Sequence, residues 1–509
     1  MRNSFLLASI CLFLLQGTAY AQSGPSWFDP TLVDDSPAAP ATRTQHVGVF
    51  NGQDITFDVI TGETVLLGED EQAATSIFST AYIRTDVDEG AARPIVFLFN
   101  GGPGASSSPL HLGIGPVRRP QSDKSDSLVP NEASPLDAVD MVFVDPAGTG
   151  YSRLFKDGAG EAFWGIEEDV DSILFFMGEW LRDQGREDSP VFVMGESYGT
   201  TRAVALLARA TDLKISGALL LSSALDFTAG TTVVGNNLPY IFLLPSMAAT
   251  AAYHEVTDRG ERSYQQVFED AALFAQTDYA TALYRGSLLD NEERQRVAGE
   301  MARLTGLSQE YLVEHKLRIN RSEFADILLA DKGLRTGRLD ARVTGPIEEY
   351  KGKRPPMNDP SMSGRGGGGR STGELLDEYF REKLDTKIDR PYRTLNLDLN
   401  SKWNYRQEGA PRFYLTVVPL LEQAMKDDPD LRIFIGGGVF DLGTPIMAAR
   451  YAASQADVPQ DRFTLVAYDG GHTVFDHEES RVRLGNDVRA FIASTLNSRT
   501  ATEADPAGL

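Results

Sequence analysis

The sequence predicts an α/β protein: a mostly parallel sheet flanked by helices, split by a large and mainly helical insertion. Three observations carry that prediction. First, short continuous apolar runs recur at Ile95-Val96-Phe97-Leu98-Phe99, Met141-Val142-Phe143-Val144, Val191-Phe192-Val193-Met194 and Ala218-Leu219-Leu220-Leu221. Strands buried on both faces read this way. Second, Glu167 to Gln184 places Ile173, Phe176, Met177 and Trp180 at amphipathic-helix spacing between two of those runs, and strands alternating with helices argue a parallel sheet. Third, the alternation stops after about Asp226 and resumes beyond about residue 410.

Taken in order, the chain opens on a segment with the features of an export signal. Arg2 supplies a positive start, Phe5 to Leu15 is apolar but too short to span a bilayer, and Ala19-Tyr20-Ala21 is a small-x-small cleavage site. Cleavage is expected after Ala21, with no stable membrane anchor and a periplasmic or secreted location. The single cysteine, Cys11, lies inside this signal. The mature chain therefore has no disulfide, no thiol nucleophile and no thiolate metal site. Residues 22–44, rich in Pro, Ala, Ser and Asp, are expected as a flexible lead-in. A first core part covers 45–226. Within it His46 to Val59 alternates around Asn51-Gly52, a hairpin signal, and Ser79 to Arg84 reads as a further strand. The insertion covers 227–410, with repeated helical spacing over Tyr264 to Leu304 and four consecutive glycines at 366–369. Lys332 to Arg370 is locally basic, as a solvated surface or as a guide for anionic substrate groups. The second core part, 411–497, reads as a helix at Leu415 to Ala424, strands at Arg432 to Ile435 and Phe463 to Tyr468, and a closing helix at Glu479 to Leu496. Residues 498–509 are expected as a disordered tail.

The 509-residue chain carries a net charge of −24, with 42% hydrophobic and 24% charged residues. Such acidity argues against nucleic acid as a partner, because binding it needs clustered positive charge. The chemistry concentrates at Gly195-Glu196-Ser197-Tyr198-Gly199, between an apolar run and a run of helix formers. Strand, G-x-S-x-G, helix is the setting of a nucleophilic serine on a tight turn. A serine hydroxyl needs a general base, and the base needs an orienting partner. Of six histidines, His472 follows a late core strand in the glycine turn Asp469-Gly470-Gly471-His472; His477 is the rival. Asp441, after Gly436-Gly437-Gly438-Val439-Phe440, has the required place between serine and histidine; Asp469 stands too close to His472, and Asp428 and Asp430 precede the strand. An oxyanion site needs backbone N–H donors. Tyr198, just after the serine, offers one, and the glycine loop Asn100-Gly101-Gly102-Pro103-Gly104-Ala105-Ser106-Ser107 offers the other. A phosphate loop is the alternative for that loop, but no lysine follows it.

Four ordered motifs resemble the serine carboxypeptidase family of the carboxypeptidase Y and cathepsin A type, within the α/β-hydrolase fold. They are NGGPGASS at 100–107, DPAGTGYS at 145–152, GESYG at 195–199, and the GGGVFDLGTP and DGGH segments that hold Asp441 and His472. The resemblance implies Ser197 as nucleophile, His472 as base and acid, Asp441 as orienter, and Gly102 and Tyr198 as the oxyanion hole. It also implies that Asn100 and Glu196 bind the substrate's terminal carboxylate, with Gly101 a further substrate-binding residue. Peptides are the implied substrates, and no metal or other cofactor is needed. A carboxylate beside Glu196 is repelled unless one of the two is protonated, which implies a preference for acidic pH. Glu196 as a buried brace for the turn is the other reading of that residue. The chain departs from the family at Ala105, where cysteine is usual, at Leu98, where tryptophan is usual, and at His111-Leu112-Gly113-Ile114, where a second carboxylate-binding acid is expected. Those departures keep open an esterase or acyltransferase with the same three residues. A binding protein on a hydrolase scaffold is a further alternative.

Overall fold

The computed structural model describes residues 26–87, 92–120, 127–353, 355–363, 370–406 and 414–504. The export signal expected at 1–21 and the glycine run at 366–369 lie outside the described residues. Among the described residues, no helix is long and apolar enough to cross a membrane.

Among the described residues, nine strands form one sheet: β1 (Thr42–Phe50), β2 (Gln53–Leu67), β3 (Ala73–Arg84), β4 (Ile95–Phe99), β5 (Asp140–Asp145), β6 (Val191–Glu196), β7 (Ile215–Leu221), β8 (Arg432–Gly438) and β9 (Phe463–Tyr468). Their order is β1-β2-β3-β5-β4-β6-β7-β8-β9. The first three strands pair antiparallel, and β3 pairs antiparallel with β5. Every pair from β5 to β9 is parallel. The β1–β2 hairpin closes through Phe50↔Gln53, with Asn51 and Gly52 both at positive φ (50° and 73°). Two such residues in succession match the right-handed twist of the strands they join.

The apolar runs are continuous because the sheet has two covered faces. Phe97, Phe99, Val142, Val193, Leu220 and Ile433 pack into one core, while Val96, Leu98, Phe143, Phe192, Met194 and Phe434 pack into another. The first core is closed by α2 (Ile166–Asp183), through Ile173, Phe176, Met177 and Trp180, and by α3 (Tyr198–Arg209). The second is closed by α9 (Glu478–Ala504), through Leu484, Val488, Phe491 and Ile492. Between β7 and β8 the chain leaves the sheet for a mainly helical segment. Its longest helices are α4 (Leu238–Tyr253), α5 (Tyr264–Phe274) and α6 (Asn291–Thr305). Leu243, Met247, Val297, Met301 and Phe324 form a core of their own there.

The differences from expectation lie at element ends. The helix expected at Leu415 to Ala424 is α7 (Val418–Asp427). Pro419 sets that start, since proline is tolerated in a first turn and breaks a helix interior. Helix α8 (Ile446–Gln455), which starts after Pro445, was not expected, nor was the short helix α1 (Ser108–Ile114), with Pro109 in its first turn. Helix α9 runs on to Ala504, past Leu496 and into the expected tail. Part of the lead-in expected to be flexible is pinned to the core instead. Thr42–Thr44 already belong to β1, Thr31 N donates to Asp398 (3.1 Å), and Arg153 Nη1 pairs with Asp34 (3.0 Å).

Candidate active site

The loop ends of β4, β6, β8 and β9 meet above the carboxyl edge of the sheet, where open α/β sheets gather their sites. Strand β6 ends at Glu196 and helix α3 begins at Tyr198, so Ser197 alone makes the turn. Its backbone sits at φ 60°, ψ −128°, a conformation that non-glycine residues rarely hold and that clusters at functional sites. The turn is crowded on both sides. A Cβ added at Gly195 would lie 2.1 Å from Gly199 O, and one at Gly199 would lie 2.5 Å from Phe99 O. That crowding explains why glycine flanks the serine.

The glycine loop after β4 abuts the same turn. A Cβ on Gly101 would come within 2.3 Å of Tyr198 N, so the loop backbone lies directly against the start of α3. Tyr198 N–H, at the first helical position, has no acceptor within the helix. Two buried residues brace this arrangement. Asp145 Oδ1 accepts from Ser107 N (2.8 Å), Ser107 Oγ (2.7 Å) and Tyr392 Oη (2.9 Å). Burial pushes its carboxyl up to about 6. Arg202 of α3 donates to Asn100 O (2.7 Å) and is held by Asp169 of α2 (2.5 and 3.2 Å). Asn396, from the inserted segment, holds the far side of the loop: its N–H donates to Gly104 O (2.8 Å) and its Nδ2 to Gly148 O (2.8 Å).

Asp441 and His472 come together from the turns after β8 and β9. His472 Nδ1 lies 2.8 Å from Asp441 Oδ2. Thr444 Oγ1 donates to Asp441 Oδ2 (2.7 Å), and the N–H groups of Gly443 (2.7 Å) and Thr444 (3.0 Å) donate to Oδ1. Asp441 is fully buried. Burial pushes its carboxyl up, but the charge and hydrogen bond of His472, with the Thr444 donors, outweigh it and leave the group below its ordinary value. With Nδ1 turned to Asp441, Nε2 lies on the opposite side of the ring. The two glycine turns touch, since a Cβ on Gly438 would lie 2.1 Å from Gly470 O. The backbones of Ser197 and His472 are each held at the end of β7: Ser197 N donates to Leu221 O (3.0 Å), and the next residue, Ser222, donates its Oγ to His472 O. The rival base, His477, precedes α9; the imidazole against Asp441 is that of His472.

The three residues expected to bind substrate, Asn100, Gly101 and Glu196, lie together beside the serine turn. Asn100 Nδ2 donates to Glu196, and Asn100 Oδ1 accepts from Leu110 N (3.1 Å). Asn100 and Glu196 are each 2% exposed. Gly101 faces Tyr198 N as described above. Where the second acid of the family is expected, His111 is buried, its ring stacked 4.4 Å from Phe143 and its Nε2 2.6 Å from Tyr82 Oη. Burial pushes its pKa down to about 3, so the ring is neutral.

Thr444, Arg202, Asp169 and Asn396 have no counterpart among the residues expected from sequence. Thr444 could have been found from its place three residues after Asp441, where a hydroxyl and an N–H can both turn back on the carboxylate. Arg202 and Asp169 stand far apart in the chain and meet only through the packing of α2 on α3.

The family model described as serine carboxypeptidase matches residues 67–213. That stretch is similar to the serine carboxypeptidase family. The matched stretch contains the glycine loop, the DPAGTGYS segment and the Ser197 turn; Asp441 and His472 follow it in the chain. Serine carboxypeptidase-like 51 of Arabidopsis thaliana is 33% identical over 132 residues, 25% of this chain and 27% of the relative's length. Among solved structures, Kex1(Δ)p, a prohormone-processing carboxypeptidase from Saccharomyces cerevisiae, superposes with a TM-score of 0.54 at 14% identity, covering 87% of this chain and 92% of that one. The chain has the α/β-hydrolase fold.

Proposed function

We propose that this protein is an exported serine carboxypeptidase-like hydrolase that releases C-terminal residues from peptides through an acyl-enzyme. The observation that carries the reading is the contact of His472 Nδ1 with buried Asp441, alongside a serine held in a strained turn at the end of β6. His472 Nε2 takes the proton of Ser197 as its Oγ attacks the scissile carbonyl. Gly102 and Tyr198 donate their N–H groups to the developing oxyanion. His472 then returns the proton to the leaving amine, and the C–N bond breaks. Water attacks the ester, again with His472 as base, and Ser197 leaves with the proton. Asp441 holds the ring in the tautomer this needs and stabilises the imidazolium. Peptide substrates and export after Ala21 belong to the same proposal.

A second reading, an ester hydrolase or acyltransferase with the same three residues, is favoured by one observation. Asn100 and Glu196 are buried in contact with each other, and His111 stands where a second acid would help bind a terminal carboxylate. Both readings require a seryl intermediate. A fluorophosphonate probe is expected to add to Ser197, located by peptide mass mapping, and to leave folded Ser197→Ala unlabelled. Labelling at another residue would contradict both.

A further inference from the structure

The turns that hold Asp441 and His472 are bound together by a strap from the inserted segment. Residues 338–342 cross both of them. Leu442 N donates to Arg338 O (3.0 Å), His472 N to Leu339 O (2.6 Å), and Ala341 N to Phe440 O (3.0 Å). The packing is close: a Cβ on Gly471 would lie 2.6 Å from Asp340 Cβ, and one on Gly443 would lie 2.8 Å from Leu339 Cδ2. The strap is anchored on its outer side as well, through Arg338 N to Asp359 (3.0 Å) and through Ala341 O, 2.7 Å from His254 Nε2.

One side chain ties the strap to both turns. Arg342 Nε and Nη2 grip Asp340 (2.9 and 2.6 Å), Nη1 donates to Asp469 O (3.1 Å), and the guanidinium lies 5.2 Å from the Phe440 ring centre. Asp469 stands three residues before His472, and Phe440 adjoins Asp441. The Arg342 side chain is 13% exposed, so these contacts are shielded from water and less screened than surface pairs. A planar fork with donors in three directions can hold three partners at once; an ammonium cannot reproduce that geometry.

We infer that Arg342 is a positioning residue for the reaction: it locks the strap against the Asp469 and Phe440 turns and so sets where His472 stands relative to Ser197. This rests on the proposed role of His472 as base. Misplacing a reacting group by about 1 Å can cost about 100-fold in rate. Arg342 touches no reacting atom, so its loss should act on turnover more than on substrate binding.

The test uses the full chain and p-nitrophenyl acetate, whose hydrolysis does not depend on recognition of a peptide terminus. Arg342→Ala is expected to lower kcat by about 10- to 100-fold with KM within about 3-fold of wild type. Arg342→Lys, which keeps the charge and can still reach Asp340, is expected to recover part of the loss and serves as the folded comparison if the alanine variant is unstable. In a His472→Ala background, Arg342→Ala should cause no further loss, because the group it positions is gone. An equal loss in both backgrounds, a kcat unchanged by Arg342→Ala, or a loss carried by KM alone would overturn the inference. Wild-type turnover in His472→Ala itself would instead overturn the base assignment, and the inference with it.

Discussion

Ser197→Ala and His472→Ala are each expected to lower kcat by about six orders of magnitude, with the double variant no slower than the worse single one. The expectation follows from how the groups depend on each other. In the proposed mechanism, removing His472 takes away the acceptor of the Ser197 proton, and removing Ser197 takes away the nucleophile the imidazole activates. Residual turnover would come from the glycine loop and the Tyr198 N–H, which stay in place in both variants. Folding should be retained: Ser197 joins β6 to α3 through backbone bonds that alanine keeps. Initial rates of ester hydrolysis, alongside thermal unfolding of each variant, check this. Additive losses would show that the two residues do not act as one unit.

Asp169→Ala is expected to destabilise the fold by about 3–5 kcal/mol, the usual cost of leaving one member of a buried ion pair alone. The Asp169 and Arg202 side chains are 2% and 1% exposed, so solvent cannot replace the lost partner. Arg202 would keep only its bond to Asn100 O and its contacts with the Phe99 and Tyr198 rings. The pair joins α2 to α3 beneath the serine turn, so its loss should also loosen Asn100. Replacing both residues by apolar ones of similar volume, Asp169→Leu with Arg202→Met, should recover most of the stability, because no unpaired charge remains. Urea unfolding measures both effects. A single variant within about 1 kcal/mol of wild type would show that the pair does not secure this layer.

Much of the fold was legible because burial leaves a mark on local sequence. Ile95–Phe99 and Phe463–Tyr468 form strands with the bounds their apolar runs suggest, and Asn51-Gly52 closes the expected hairpin. The meeting of Asp441 with His472 was foreseeable from chain order and glycine turns, since each follows a core strand whose end faces the site. Less legible were features created by distant segments. Pro419 moves a helix start by three residues, a local effect that periodicity alone overlooks. The pairing of Arg202 with Asp169, and the hold of Arg338 to Arg342 on the turns bearing Asp441 and His472, depend on segments far apart in the chain, with no characteristic spacing. The same holds for Asn396, which reaches Gly104 and Gly148 from the inserted segment. Glu196 shows the limit from the other side. Its place in GESYG suggests a ligand contact, but its packing against Asn100 emerges only from the fold.

The central claim is that this serine site acts on free peptide C-termini. The most direct test compares cleavage of one peptide as its free acid and as its C-terminal amide, with release of the last residue followed by mass spectrometry at matched enzyme concentration. The account predicts that the free acid is trimmed and the amide is spared. Equal trimming of both would contradict it and leave the ester hydrolase reading in its place.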